Sequence, residues 1–112
     1  MELSTEREDG VLSLLLDGRL DGSNVSEFDE QVRAAIEDSG SIVVMDFEKL
    51  RYISSAGLRS VLMTARTLGN KNVGFALCSL SEQIREVFEI SGFDKIIAVH
   101  QSRADAIAAL KG

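Results

Sequence analysis

Ile42-Val43-Val44-Met45-Asp46-Phe47, followed after a polar loop by Leu58, Val61, Leu62, Ala65 and Leu68, is the passage on which the fold turns. The first run is apolar apart from Asp46, the composition of a central strand covered on both faces. The second set repeats at three- and four-residue steps, the spacing of one helical face. Gly69-Asn70 then supplies a C-terminal stop. Val73 to Cys78 is a further apolar run and reads as the returning strand. A strand-helix-strand unit of this kind crosses over right-handed and lays its two strands parallel.

Working outward, Leu3 to Glu8 and Val11 to Asp17 flank Asp9-Gly10. Asp-Gly between strand-like runs signals a hairpin, because both turn residues must take positive φ. Leu12, Leu14 and Leu16 mark a buried face, and Gly18 to Ser23 breaks the pattern as a loop. Asn24 with Glu27 reads as a capping pair for a helix whose stripe is Val25, Phe28, Val32 and Ile36, ended by Ser39-Gly40. Downstream, Ser81 opens a helix with Ile84, Val87 and Phe88 inward, closed by Ser91-Gly92. Ile96 to Val99 reads as a third apolar strand, and Arg103 to Leu110 as a last helix with Ile107 and Leu110 inward. The order β-β-α-β-α-β-α-β-α predicts one α/β layered domain over residues 1–112. It has a mixed four- to five-stranded sheet, an N-terminal β-hairpin and about four helices.

Composition narrows the function. The chain carries 18 Asp and Glu against 12 Lys and Arg, a formal charge of −6. That balance argues against direct nucleic-acid binding and against a polybasic membrane-surface role. No apolar run approaches the roughly 18 residues of a spanning helix, so membrane insertion is not expected. One cysteine, Cys78, cannot form an internal disulfide, which points to a reducing cytoplasm. With one His and one Cys, a closed His/Cys zinc site within the chain is excluded, and no metal or cofactor is expected. A Walker-type phosphate loop and a Ser-His-Asp set are both absent, so the sequence does not read as an enzyme.

In an α/β layered domain the loops leaving the carboxyl ends of the strands carry function. Three are candidates: Gly18 to Asn24, Glu48 to Gly57, and Cys78 to Ser81. The middle one ends in Ser54-Ser55-Ala56-Gly57-Leu58-Arg59, with two serines where a helix begins. Either serine serves as an N-cap, its oxygen accepting a free backbone N–H. A helix N-terminus also favours a phosphate, and Ala56-Gly57 leaves little side-chain bulk in the way of an approaching protein. Arg59 lies four residues after Ser55 and either sits one turn along from it or points to solvent. Elsewhere, His100 reads as a surface or hydrogen-bonded residue, Cys78 as a small core residue, and Met45 and Met63 as packing. Leu50 and Tyr52 read equally as exposed contacts or as packing under the loop. Glu27, Asp29, Glu30, Glu37 and Asp38 form an acidic run on the first helix, either a solvated face or one that meets a basic partner.

Asp46-Phe47 with Leu50, then Tyr52-Ile53-Ser54-Ser55-Ala56-Gly57-Leu58, resembles the signature of the STAS family, the sulfate transporter and anti-sigma factor antagonist domains. Gly18-Arg19-Leu20-Asp21 resembles the family's first loop, and Phe88 to Lys95 its late helix-turn, so the resemblance covers nearly the whole chain. It implies an anti-sigma factor antagonist in a partner-switching pathway. The unmodified form would bind an anti-sigma factor that is also a serine-protein kinase of the histidine-kinase-like ATPase type, releasing its client. Phosphorylation would dissociate the complex and a PP2C-type phosphatase would restore it. Carried over by position, the phosphoacceptor falls on Ser55, with Ser54 as second choice because sporulation-type antagonists have Asp there. The partner-binding set so implied is Asp21, Ser23, Asn24, Ser54, Ala56, Gly57, Leu58 and Arg59, on a chain expected to be monomeric when free. The same family also contains adaptor or regulatory subunits of transport systems, whose serine is not phosphorylated.

Overall fold

The structure is a computed structural model that describes residues 1–37, 40 and 42–112. Five strands form one sheet in the order β1-β2-β3-β4-β5: Glu2–Glu8, Val11–Leu20, Ile42–Ile53, Gly74–Cys78 and Ala98–His100. The helices are α1 (Val25–Ile36), α2 (Ser55–Asn70), α3 (Glu82–Ser91) and α4 (Arg103–Lys111). β1 runs antiparallel to β2, and every later neighbour is parallel, so the sheet is mixed as predicted. The hairpin turn places Asp9 at φ 53° and Gly10 at φ 79°, the left-handed pair that Asp-Gly foretold.

One face of the sheet carries the main core. Leu12, Leu14 and Leu16 of β2 and Val43, Met45 and Phe47 of β3 meet Phe28 and Val32 of α1, Val61 and Leu68 of α2, and Ile84 and Phe88 of α3. Phe88 stands edge-on to Phe47 at 5.9 Å and to Phe93 at 6.5 Å. Among the described residues, the other face is covered by α4 alone. There Val11, Ile42, Val44, Ala76 and Cys78 pack under Ala106, with Ile107 and Leu110 half-buried at the margin. Arg103, at the start of α4, ties this layer down: its Nη1 donates to Glu6 Oε1 at 2.6 Å, and its Nε lies 3.7 Å from Asp46 Oδ2.

Several expectations need correction. Gly18 to Leu20 and Glu48 to Ile53 are strand rather than loop. β2 and β3 stay paired past the end of β4, through Asp17 with Lys49, Gly18 with Leu50, Arg19 with Tyr52 and Leu20 with Ile53. Register shifts at Leu15/Asp17 and Gly18/Arg19 bulge the ladder. Phe47, Leu50 and Ile53 are all buried although they are spaced by three, and a bulge is what resets the inward face. The third apolar strand is only Ala98–His100, because a 3-10 turn at Phe93–Lys95 precedes it and leaves Ile96 65 % exposed. Asn24 does not cap α1 with its side chain. Met63, taken as packing, is 52 % exposed. Asp38 of the acidic run and the expected stop at Ser39 lie outside the described residues.

Candidate functional site

The prolonged β2/β3 ribbon delivers two segments to one end of the molecule. The Ser54 N–H donates to the Leu20 carbonyl at 2.9 Å, joining the start of α2 to the end of β2. Ser54 has extended backbone, φ −89° and ψ 175°, and its Oγ accepts the Gly57 N–H at 3.2 Å while its carbonyl accepts the Leu58 N–H at 2.9 Å. Ser54 is therefore the N-cap, and its hydroxyl is already engaged. Ser55 is the first residue of the helix, and its exposed hydroxyl makes no hydrogen bond among the described residues. The N-cap reading thus falls on Ser54.

Gly57 explains how α2 comes so close. A Cβ there would stand 2.8 Å from Ile53 Cγ1 and 3.0 Å from Leu20 Cγ, so the helix start lies directly against the two strand ends. Leu58 is buried beside it, whereas Ala56 is half-buried and Arg59 exposed. Of the implied partner-binding set, Gly57 and Leu58 shape this end from below, and Ala56 and Arg59 form its outer surface beside the implied phosphoacceptor Ser55.

The first loop is stiffened by its own side chains. Asp21 Oδ1 accepts the Ser23 N–H at 2.9 Å and the Ser23 hydroxyl at 2.5 Å. These bonds, the hydroxyl's foremost, hold the Asp21 carboxyl below its ordinary pKa, so a fixed negative charge sits one loop away from Ser55. Asn24 turns back into the loop: Oδ1 accepts the Asp21 N–H at 3.0 Å, and Nδ2 donates to the Arg19 carbonyl at 2.8 Å. The Asp21 carbonyl in turn accepts the Asn24 and Val25 N–H groups and so begins α1. Ser23 is exposed and Asn24 half-buried.

Other features of this end carry no signal in the sequence. The Arg19 guanidinium stacks 4.4 Å over the Tyr52 ring, a pairing created by the strand register. The Ser60 hydroxyl donates to Asp29 Oδ1, linking α2 to α1. The third candidate loop is not brought to the site. β4 stops at Cys78, opposite Asp46, while β3 runs on to Ile53, and Ser79 bonds instead to the His100 carbonyl. Cys78 is fully buried, and burial first, with Asp46 nearby, pushes its thiol pKa up to about 11.

The arrangement exposes one serine at a helix start. Residues 2–106 match the STAS domain family, and the chain belongs to it. Among its relatives is BtrV of Bordetella bronchiseptica, described as a candidate anti-sigma factor antagonist. It is 40% identical over 111 residues, covering 99% of this chain and 96% of its own. The crystal structure of an anti-sigma factor antagonist from Mycobacterium paratuberculosis superposes with a TM-score of 0.92 at 24% identity, covering 99% of this chain and 94% of the other. Unphosphorylated SpoIIAA, also titled an anti-sigma factor antagonist, gives a TM-score of 0.81 at 24% identity over 99% of this chain and 97% of its own. Its phosphorylated form from Bacillus gives 0.73 at 23%, over 97% of this chain and 99% of that one. The fold is shared throughout. No helix among the described residues is long and apolar enough to cross a membrane.

Proposed function

We propose that the chain is an anti-sigma factor antagonist that acts by partner switching. In this reading the unmodified chain binds an anti-sigma factor with serine-kinase activity of the histidine-kinase-like ATPase type, in the cytoplasm, and frees its client. Phosphorylation of Ser55 breaks the complex, and a PP2C-type phosphatase restores it. One observation carries the assignment to Ser55: its hydroxyl is exposed and unengaged, while Ser54 already serves the helix cap. The relationship to BtrV and the fold shared with SpoIIAA support the same reading.

The energetics are sufficient for a switch. A phosphoserine adds about −1.5 to −2 charges. One unit charge about 5 Å from a partner carboxylate, at an effective dielectric near 20, costs on the order of 3 kcal/mol. With about 1.4 kcal/mol per decade, roughly two decades of affinity are lost without any change of fold.

Incubating the chain with its kinase and ATP, then measuring intact mass and mapping the site, tests the reading. A single phosphate on Ser55, absent from Ser55→Ala, is the expected result. Full phosphorylation of Ser55→Ala would move the site to Ser54 or elsewhere. Stable association with transport components and no phosphate would replace the switch by an adaptor role.

A further inference from the structure

The charge of this protein is unevenly distributed. The whole chain has 18 acidic residues, yet the 16 residues of α2 include none and carry Arg59 and Arg66. Ser55, Arg59, Met63 and Thr67 follow one another at four-residue steps, and all four are exposed. On a helix that spacing makes one continuous stripe. From Ala56 onward the stripe forms one wall of a groove of about 590 Å³ whose other wall is α1.

Three cations, Arg33, Arg59 and Lys71, line this groove against one carboxylate, Asp29. The Asp29 carboxylate accepts a hydrogen bond from the Ser60 hydroxyl. Among the described residues none of the three groove cations joins an ion pair. The apolar part of the groove centres on Met63, a flexible side chain held out at 52 % exposure. At the end remote from Ser55, Glu30 and Glu37 join Arg33 and Lys71; nearer Ser55, Arg59 shares the groove with the Asp29 carboxylate.

We infer that the groove between α1 and α2 docks an acidic amphipathic helix of the anti-sigma factor, with carboxylates over Arg59 and Arg33 and a large apolar side chain beside Met63. The wall from Ala56 to Lys71 is about four helical turns long, which suits such an occupant. The inference rests on the proposed partner and deepens it, because it identifies what a phosphate on Ser55 would repel. Carboxylates drawn in by Arg59 would lie one turn from the modified hydroxyl, so the cations that favour docking also place the charges that make phosphorylation disruptive.

Affinity for the purified anti-sigma factor is to be measured by calorimetry for the unmodified chain, Arg59→Glu, Met63→Glu, Ser55→Asp and the distant control Lys95→Glu, each checked for folding by urea titration. Arg59→Glu and Met63→Glu are each expected to weaken binding about tenfold or more, with Lys95→Glu within about twofold. If Arg59→Glu and Met63→Glu bind normally while Ser55→Asp dissociates, the groove is wrong and the switch stands. If Ser55→Asp binds normally while the groove variants fail, the docking surface stands and the switch falls. A second probe needs no anti-sigma factor. A helical Glu/Leu peptide titrated into the labelled chain should shift the amides of Arg33, Arg59, Met63 and Thr67, and its Lys/Leu counterpart should not. Equal responses to the two peptides, or shifts centred on another face, would overturn the inference.

Discussion

Ser54 and Ser55 are chemically identical neighbours in different surroundings. Ser54 lies just before the helix in extended backbone, so its oxygen meets the Gly57 N–H. Ser55 has entered the helix, and its hydroxyl points to solvent. Loss of an N-cap hydroxyl costs about 0.5–2 kcal/mol, whereas an exposed serine at the first helical position contributes little. Ser54→Ala is therefore expected to lower the unfolding free energy by about 1 kcal/mol, and Ser55→Ala by less than about 0.5 kcal/mol, in urea titrations. The reverse ranking would exchange the two roles. Cys78 offers a pH test at the same scale. Its thiol pKa is raised from 9.0 to about 11 because the site is buried and faces Asp46. The folded state holds the proton more tightly, so this group's contribution to stability is complete below pH 9.0 and is lost as pH rises through about 11. A thiol reagent at pH 8 should accordingly modify native Cys78 far more slowly than the urea-unfolded chain. Equal rates would mean that the strand end opens readily.

At the scale of elements, the close approach of α2 to the β2/β3 ribbon depends on a missing side chain at Gly57. Gly57→Ala would force a methyl group to within 2.8 Å of Ile53 Cγ1 and 3.0 Å of Leu20 Cγ, so those side chains or the helix must shift. Overpacking of this kind costs about 1–3 kcal/mol, and a drop of that size in urea, with displaced amide signals at Ser54 and Ser55, is the expected outcome. A stability equal to that of the unsubstituted chain would show the junction to be loose. The same junction marks how far the elements could be read without coordinates. Apolar runs and helical stripes locate β2, β3, β4 and α1 to α3, which bury one face or both, whereas β1 has no buried residue and is legible from the Asp9-Gly10 turn. The ribbon from Glu48 to Ile53 escaped, since its inward residues follow a bulge and fall out of alternation. Asn24 has the composition of a cap, yet its side chain spends its hydrogen bonds on Arg19 and Asp21, a choice made by the tertiary position of the loop. In the acidic run on α1, Asp29 is drawn off to Ser60, a partner 31 residues away. The serine pair and its place at a helix start were legible, but which serine caps the helix depends on one dihedral angle.

At the scale of the whole molecule, the sheet carries three helices on one face and α4 on the other, and the Ser55 end projects on the part of the β2/β3 ribbon that extends beyond β4. This geometry leaves Ser55, the proposed modification site, exposed above the core residues Leu20, Ile53 and Leu58. A negative charge at the first helical position gains about 0.3–1 kcal/mol from the α2 dipole. Against that stand the ionised Asp21 in the neighbouring loop and a net charge of −6 spread over the molecule. Charges more than a Debye length away, about 8 Å at physiological salt, count for little, so the net charge adds little and the α2 dipole and Asp21 are left to oppose each other. Phosphorylated protein and Ser55→Asp should therefore unfold within about 1 kcal/mol of the unmodified chain. Their amide shift changes should be confined to Gly18–Asn24 and the neighbourhood of Ser55. Shifts that reach α4, or a lowered unfolding cooperativity, would mean that the modification remodels the fold. The confined response instead leaves the switch to the contact surface itself, where a phosphate acts on whatever carboxylates the partner brings to it.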